Sequence, residues 1–174
     1  MSQVIQTSDF QEQGKFYIPF NTQLCGSEED LQNYIDEYEE NILNDLLGCE
    51  LTTLFLADLV NGVPQTQIYL DIYNKICIDL DCGQIRTDGM KKMLMGFIFF
   101  QYMRDQSNAR DLTGINQKSS ENSTSVTWRK SGLYTFHNKA LKSYNGIQQY
   151  ICDPDYKENY PTFNGIHKGI VSPF

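Results

Sequence analysis

Residues 27–48 read SEEDLQNYIDEYEENILNDLLG, and this stretch decides the fold class. Ser27 can accept from the free amide three residues on, and Glu28, Glu29 and Asp30 put negative charge at the positive end of a helix dipole. Leu31, Tyr34, Ile35, Tyr38, Ile42, Leu43, Leu46 and Leu47 then recur at helical spacing. Glu37, Glu40 and neighbouring acids occupy the other face, and Gly48 can take the left-handed stop position. The stretch is predicted as an amphipathic helix.

The same pattern extends outward. A short second helix carries Leu51, Leu54, Phe55 and Leu59 inward and ends at Asn61-Gly62-Val63-Pro64. A third segment, Thr66 to Leu80, has apolar residues at helical offsets, but its β-branched residues make a strand an open alternative. Asp88 can cap a fourth helix running to about Gln106; with Met93, Leu94, Phe97, Ile98 and Phe100 it is the most apolar element and the expected centre. A fifth helix is predicted over about Arg129 to Ile151, with Gly146 as its weak point. The expected fold is mainly α: a compact bundle of four to five helices with extended N- and C-terminal arms. The arms are residues 1–26, with a short strand near Lys15 to Pro19, and residues 152–174, rich in Pro and aromatics. Residues 107–127 form a polar Ser/Thr/Asn-rich loop, a length that is usually functional or disordered.

Composition excludes several classes. The 174 residues, 40% apolar, suit one packed domain plus arms. The apolar run around Met93 to Phe100 is too short and too closely flanked by Lys91, Lys92 and Arg104 for a membrane span. Met1 to Phe10 lacks an export signal, and the five cysteines (Cys25, Cys49, Cys77, Cys82, Cys152) read as reduced thiols. Net charge is −8, unevenly placed. Residues 16–74 hold 11 acids and no Lys or Arg, whereas residues 86–142 hold 10 basic residues and 4 acids. The whole is too acidic for an ordinary duplex-DNA binder; the split fits two solvated helix faces, the reading charge alone favours, or one acidic and one basic surface suited to head-to-tail contact between copies.

Catalytic and ligand motifs are missing. A Cys–His pair could be drawn from any Cys with His137 or His167, so it carries no weight. Asp79-Leu80-Asp81-Cys82-Gly83 resembles a calcium loop, but its glycine is one place early and Met90 stands where the bidentate Glu belongs. No phosphate loop, nucleotide fingerprint or zinc motif occurs, so no enzyme activity, metal or cofactor is expected.

Three stretches carry a resemblance. The first is Tyr34-Ile35 through Asn44-Asp45-Leu46-Leu47-Gly48-Cys49-Glu50-Leu51. The second is Met90 to Phe100 with Tyr102, Arg104 and Asp105, followed by Thr113-Gly114 and the polar loop. The third is His137-Asn138-Lys139-Ala140, then Tyr144 to Ile151 and Tyr160-Pro161-Thr162-Phe163-Asn164-Gly165-Ile166. In this order they resemble the head–tail connector (adaptor) proteins of Bacteroidetes phages and prophages, including crAss-like phages. The resemblance implies a non-enzymatic virion protein, assembled in the host cytoplasm. It would have a helical connector domain over residues 27–151 and form a homo-oligomeric ring, commonly a dodecamer, below the portal protein. That ring would extend the DNA channel, let DNA pass without specific binding, and seat downstream tail or neck proteins. A tail-side neck or completion ring protein, or a monomeric helical protein-binding module, are the alternatives. On this reading Tyr156, Tyr160, Phe163 and Phe174 are expected to anchor the C-terminal arm on a partner ring. Thr113, Gly114 and Lys118 belong to a loop expected to order in the ring or project into the channel.

Overall fold

The structure is a computed structural model and describes residues 3–12, 14–18, 20, 27–80, 83–111, 114–117 and 132–168. Among these, five helices make up most of the regular structure: α1 (Glu28–Leu47), α2 (Cys49–Ala57), α3 (Gln67–Tyr73), α4 (Met90–Ser107) and α5 (Leu133–Cys152). Three antiparallel hairpins connect or flank them: β1–β2 (Leu59–Val60, Val63–Pro64), β3–β4 (Cys77–Leu80, Gly83–Arg86) and β5–β6 (Asn108–Asp111, Gly114–Gln117). The architecture is mainly α, with irregular flanking segments.

Helix α1 begins where the sequence says it should. The Ser27 side chain accepts from the Asp30 amide, and the Asp30 carboxylate accepts from the Ser27 amide, a reciprocal capping box. At its other end Gly48 has φ 88° and ψ 153°. This is a positive φ, but not the left-handed helical stop, and it turns the chain straight into α2 at Cys49. Thr52 pins the corner by donating its hydroxyl to the Leu43 carbonyl at 2.9 Å.

Helix α4 is covered on most sides, as its composition predicts: Met90, Met93, Leu94, Phe97, Ile98, Phe99, Phe100 and Tyr102 are all buried. It packs along α5 on one side and against α1 on another. Gly96 lets α5 come close, because a Cβ there would lie 3.0 Å from the Ala140 Cβ. Gly146 of α5 works likewise, since a Cβ would meet the Thr87 methyl at 2.7 Å. The residue that reads as a weak point in the helix is therefore a close-packing point.

The open question at Thr66 to Leu80 resolves into both answers. Helix α3 ends at Tyr73, and β3 starts at Cys77 and pairs with β4 in the register Cys77↔Arg86 and Ile78↔Ile85. Thr87 closes the neck of this hairpin: its amide donates to the Ile76 carbonyl, and its hydroxyl accepts from the Ile76 amide. Two expectations change. Asn61-Gly62 is not a helix end but the turn of β1–β2, with φ of 52° and 78°, the positive pair that a type I′ hairpin requires. Residues 15–18 form no strand; a 3-10 turn over Thr7–Phe10 precedes them, and the Ile18 amide donates back to the Phe10 carbonyl.

Candidate interaction surfaces

The C-terminal aromatics serve the chain's own core first. Tyr160 is 3% exposed, and its hydroxyl donates to the Ile68 carbonyl at 2.7 Å. Burial raises its pKa, and the same cause pushes the neighbouring Tyr150 up to about 12. Tyr160, expected as a partner anchor, is thus enclosed by this chain's own residues. Tyr156 stacks on Tyr150 with ring centroids 4.2 Å apart, and Phe163 packs half-buried against the core. Phe174 lies outside the described residues, as do Thr113 and Lys118. Gly114 opens β6, so residues 108–111 and 114–117, expected as part of a loop, pair as strands.

Beyond Tyr160 the chain runs across the end of α1, whose last carbonyls have no partner within the helix. The Asn164 amide donates to the Leu47 carbonyl at 3.1 Å, and the Ile166 amide to that of Asp45 at 2.6 Å. Gln148 of α5 reaches the Leu46 carbonyl at 3.0 Å and the Ile166 carbonyl at 3.1 Å, and the Tyr144 hydroxyl donates to the Ile166 carbonyl. Lys168 pairs with Asp45 at 2.8 Å. The approach is so close that a Cβ on Gly165 would collide with the Leu46 carbonyl oxygen.

The N-terminal segment is held by a buried carboxylate. Glu39, 3% exposed, accepts the Val4 amide at 2.7 Å and the Ile5 amide at 3.1 Å. Burial pushes its pKa up to about 7; the two amides pull the other way, and the nearby Asp36 and Asp9 carboxylates add to the rise. Val4, Ile5 and Phe10 are consequently part of the core. Reading α1 as an apolar face and an acidic face missed this residue. The signal was there: Glu39 lies four residues after Ile35 and three before Ile42, inside the apolar stripe.

Among the concave surfaces of the described residues, two have apolar walls built on α4 and α5. One lies between α4 and α5, roofed by the arm at Lys15 and Phe16, with a cavity of about 310 Å³. Its floor is Met93, Phe136 and Ala140; Lys15, Lys92 and Lys139 rim it, with Asp88 opposite. It continues past Gly89 toward Lys75, Glu12 and the Asp9–Lys91 ion pair. The other, about 500 Å³, is walled by Ile42, Phe97 and Leu141 and edged by Tyr38, Gln101, His137 and Lys168. His137 packs edge-on to Phe97, and burial lowers its pKa. Among the described residues no three His, Cys, Asp or Glu side chains converge to hold a metal, and no helix is long and apolar enough to cross a membrane. Cys49, Cys77 and Cys152 are exposed thiols, while Cys25 and Cys82 lie outside the described residues. Apolar floors with charged rims can bind a protein surface; the chemistry they offer is recognition. Comparison with family models, with curated proteins and with solved structures returns no match.

Proposed function

We propose that this chain is a structural subunit of a tailed-phage virion, a head–tail connector (adaptor) that forms a ring below the portal, extends the DNA channel and seats the tail. The reading rests on the three stretches that resemble that family. What supports it is where they sit. The first is the α1–α2 corner at Gly48, the second is α4, and the third is α5 with residues 160–166. The third returns to the first: a Cβ on Gly48 would lie 3.0 Å from the Asn164 amide nitrogen, and Asn164 caps α1. Stretches far apart in sequence thus form one packed unit, which gives their joint occurrence a single physical reason. A bundle whose concave surfaces set apolar walls beside polar and charged edges suits a protein whose work is contact.

The deciding experiment mixes the purified protein with its cognate portal ring and reads the mass and symmetry of the product by electron microscopy. An added ring matching the portal's symmetry is expected. Binding to a tail protein instead would move the chain to a tail-side neck ring, and a monomer that binds neither would overturn the ring reading.

A further inference from the structure

We propose that copies of this chain join head to tail, the β1–β2 hairpin of one copy seating in the lysine-rimmed cleft between α4 and α5 of the next. The inference rests on the ring reading and deepens it by naming the two surfaces in contact.

The hairpin is an apolar knob on a stiff base. Val60 and Val63 pair across the Asn61-Gly62 turn and are 54% and 41% exposed. Residues paired in register point to the same face, so the two valines present one patch. Below them, the Asp58 carboxylate accepts the Gln65 and Thr66 amides at 2.7 and 2.8 Å and the Thr66 hydroxyl at 2.6 Å. Gly62 rests on the N-terminal segment, where a Cβ would lie 3.1 Å from the Gln3 carbonyl oxygen. A knob held this way loses little freedom on docking, which keeps the entropic cost of a contact low.

Its surroundings are acidic. Gln3, under the knob, donates to Asp36 of α1, and Asp36 and Glu40 line the shallow surface that Gln3 and Leu56 share. Among the described residues neither acid has a cationic partner. The cleft has the opposite character: an apolar floor under Lys15, Lys92 and Lys139, none of them paired with a carboxylate among the described residues. Asp88 and Glu12 offset part of that charge. Lys91 and Lys92 also stand in the first turn of α4, at the positive end of its dipole, so their field adds to it. An apolar knob over a segment tied to acids matches an apolar floor with lysines around it in both chemistry and sign.

One molecule cannot satisfy both surfaces. Helix α1, which carries the acids and the arm under the hairpin, packs on α4 through Tyr34 and Tyr102, whose rings meet edge-on at 5.4 Å. The cleft lies on another side of α4, where Lys92 and Gly96 face α5. A contact between different surfaces of identical chains repeats, and it closes into a ring when the rotation allows.

The test is a charge swap on the full chain, read by sedimentation and light scattering over a range of concentrations. One variant reverses the cleft (Lys92→Glu with Lys139→Glu), and the other reverses the knob (Val60→Lys with Glu40→Lys). All four positions are exposed, and circular dichroism with thermal melting checks that each variant folds. Wild type is expected to self-associate, more weakly as salt rises above about 0.1 M. Each variant alone should dissociate at least about tenfold more readily, a loss of about 1.4 kcal/mol per contact. Mixed together they should recover association, because each reversed surface then meets its complement. Wild-type-like assembly of the cleft variant, or no recovery on mixing, overturns this contact while leaving the ring standing. Wild type that stays monomeric at every concentration, with or without portal, overturns both.

Discussion

Glu39 shows what one misplaced charge does in a helical core. Its carboxylate holds the backbone of Val4 and Ile5 but stands among acids and out of water, so the folded state binds its proton more tightly than the unfolded chain does. The sign follows from linkage. A pKa raised from 4.5 to about 7 on folding gives stability that is fully present below 4.5 and lost as pH climbs toward 7. Urea unfolding at pH 5 and pH 8 should therefore show wild type losing roughly 2–3 kcal/mol on the way up. Glu39→Gln, which cannot titrate, should flatten that step. His137, whose pKa burial lowers, acts in the opposite direction but is present in both proteins, so the difference between them isolates Glu39. An unchanged pH slope in the variant would assign the effect elsewhere. Gly165 is the second sensitive position. Gly165→Ala drives a methyl into the Leu46 carbonyl and the Gln148 amide, neither of which can retreat without losing a hydrogen bond. A loss of about 1–3 kcal/mol is expected in thermal unfolding, the range for overpacking.

At the scale of elements, the C-terminal segment behaves as part of the bundle. Sequence alone suggests that deleting residues 153–174 leaves a folded protein that no longer assembles. The structure predicts otherwise: the deletion removes buried Tyr160 and uncovers the last carbonyls of α1, so the protein should lose stability outright, seen as a lower melting temperature and faster hydrogen exchange near the α1–α2 corner. Tyr160→Phe tests the smaller term. It leaves the Ile68 carbonyl without its partner at a cost of about 1 kcal/mol. Helices α1 and α5 were legible because a 3.6-residue period persists over five turns in each, α4 because its residues are apolar on nearly every side, and the Ser27 cap was legible to the residue. Shorter elements were not. Ile68, Ile72 and Ile76 fit a helix as well as a strand, and only the tie between Ile76 and Thr87, eleven residues on, breaks the tie. Asn61-Gly62 carries a hairpin signal, but the strands on either side are two residues long, too short for an alternating pattern to show. The candidate surfaces were the least visible. The charge split along the chain pointed to two faces, yet nothing in it placed Phe16 over Phe136, or Gln3 beside Asp36.

For the whole molecule, net charge bears on the proposed channel role. With a net −8, and with Lys15, Lys92 and Lys139 at a cleft that Asp88 also lines, the chain should bind duplex DNA weakly and without a steep salt dependence, because phosphate contacts from Lys and Arg are what make such binding tight. A gel-shift or anisotropy titration at low salt checks this, and tight, salt-sensitive binding would contradict a channel that lets DNA slide. The cap on α1 has a different consequence, in time. Gln148 meets Leu46 across 102 residues, and Asn164 meets Leu47 across still more. Contacts of that span form only after the intervening chain has been drawn together, and they slow folding in proportion. Helix α1 can nucleate early on its own capping box, but its far end frays until α5 and the segment beyond have docked. The helix whose pattern announces the fold depends for the cap on its last turn on the far end of the chain.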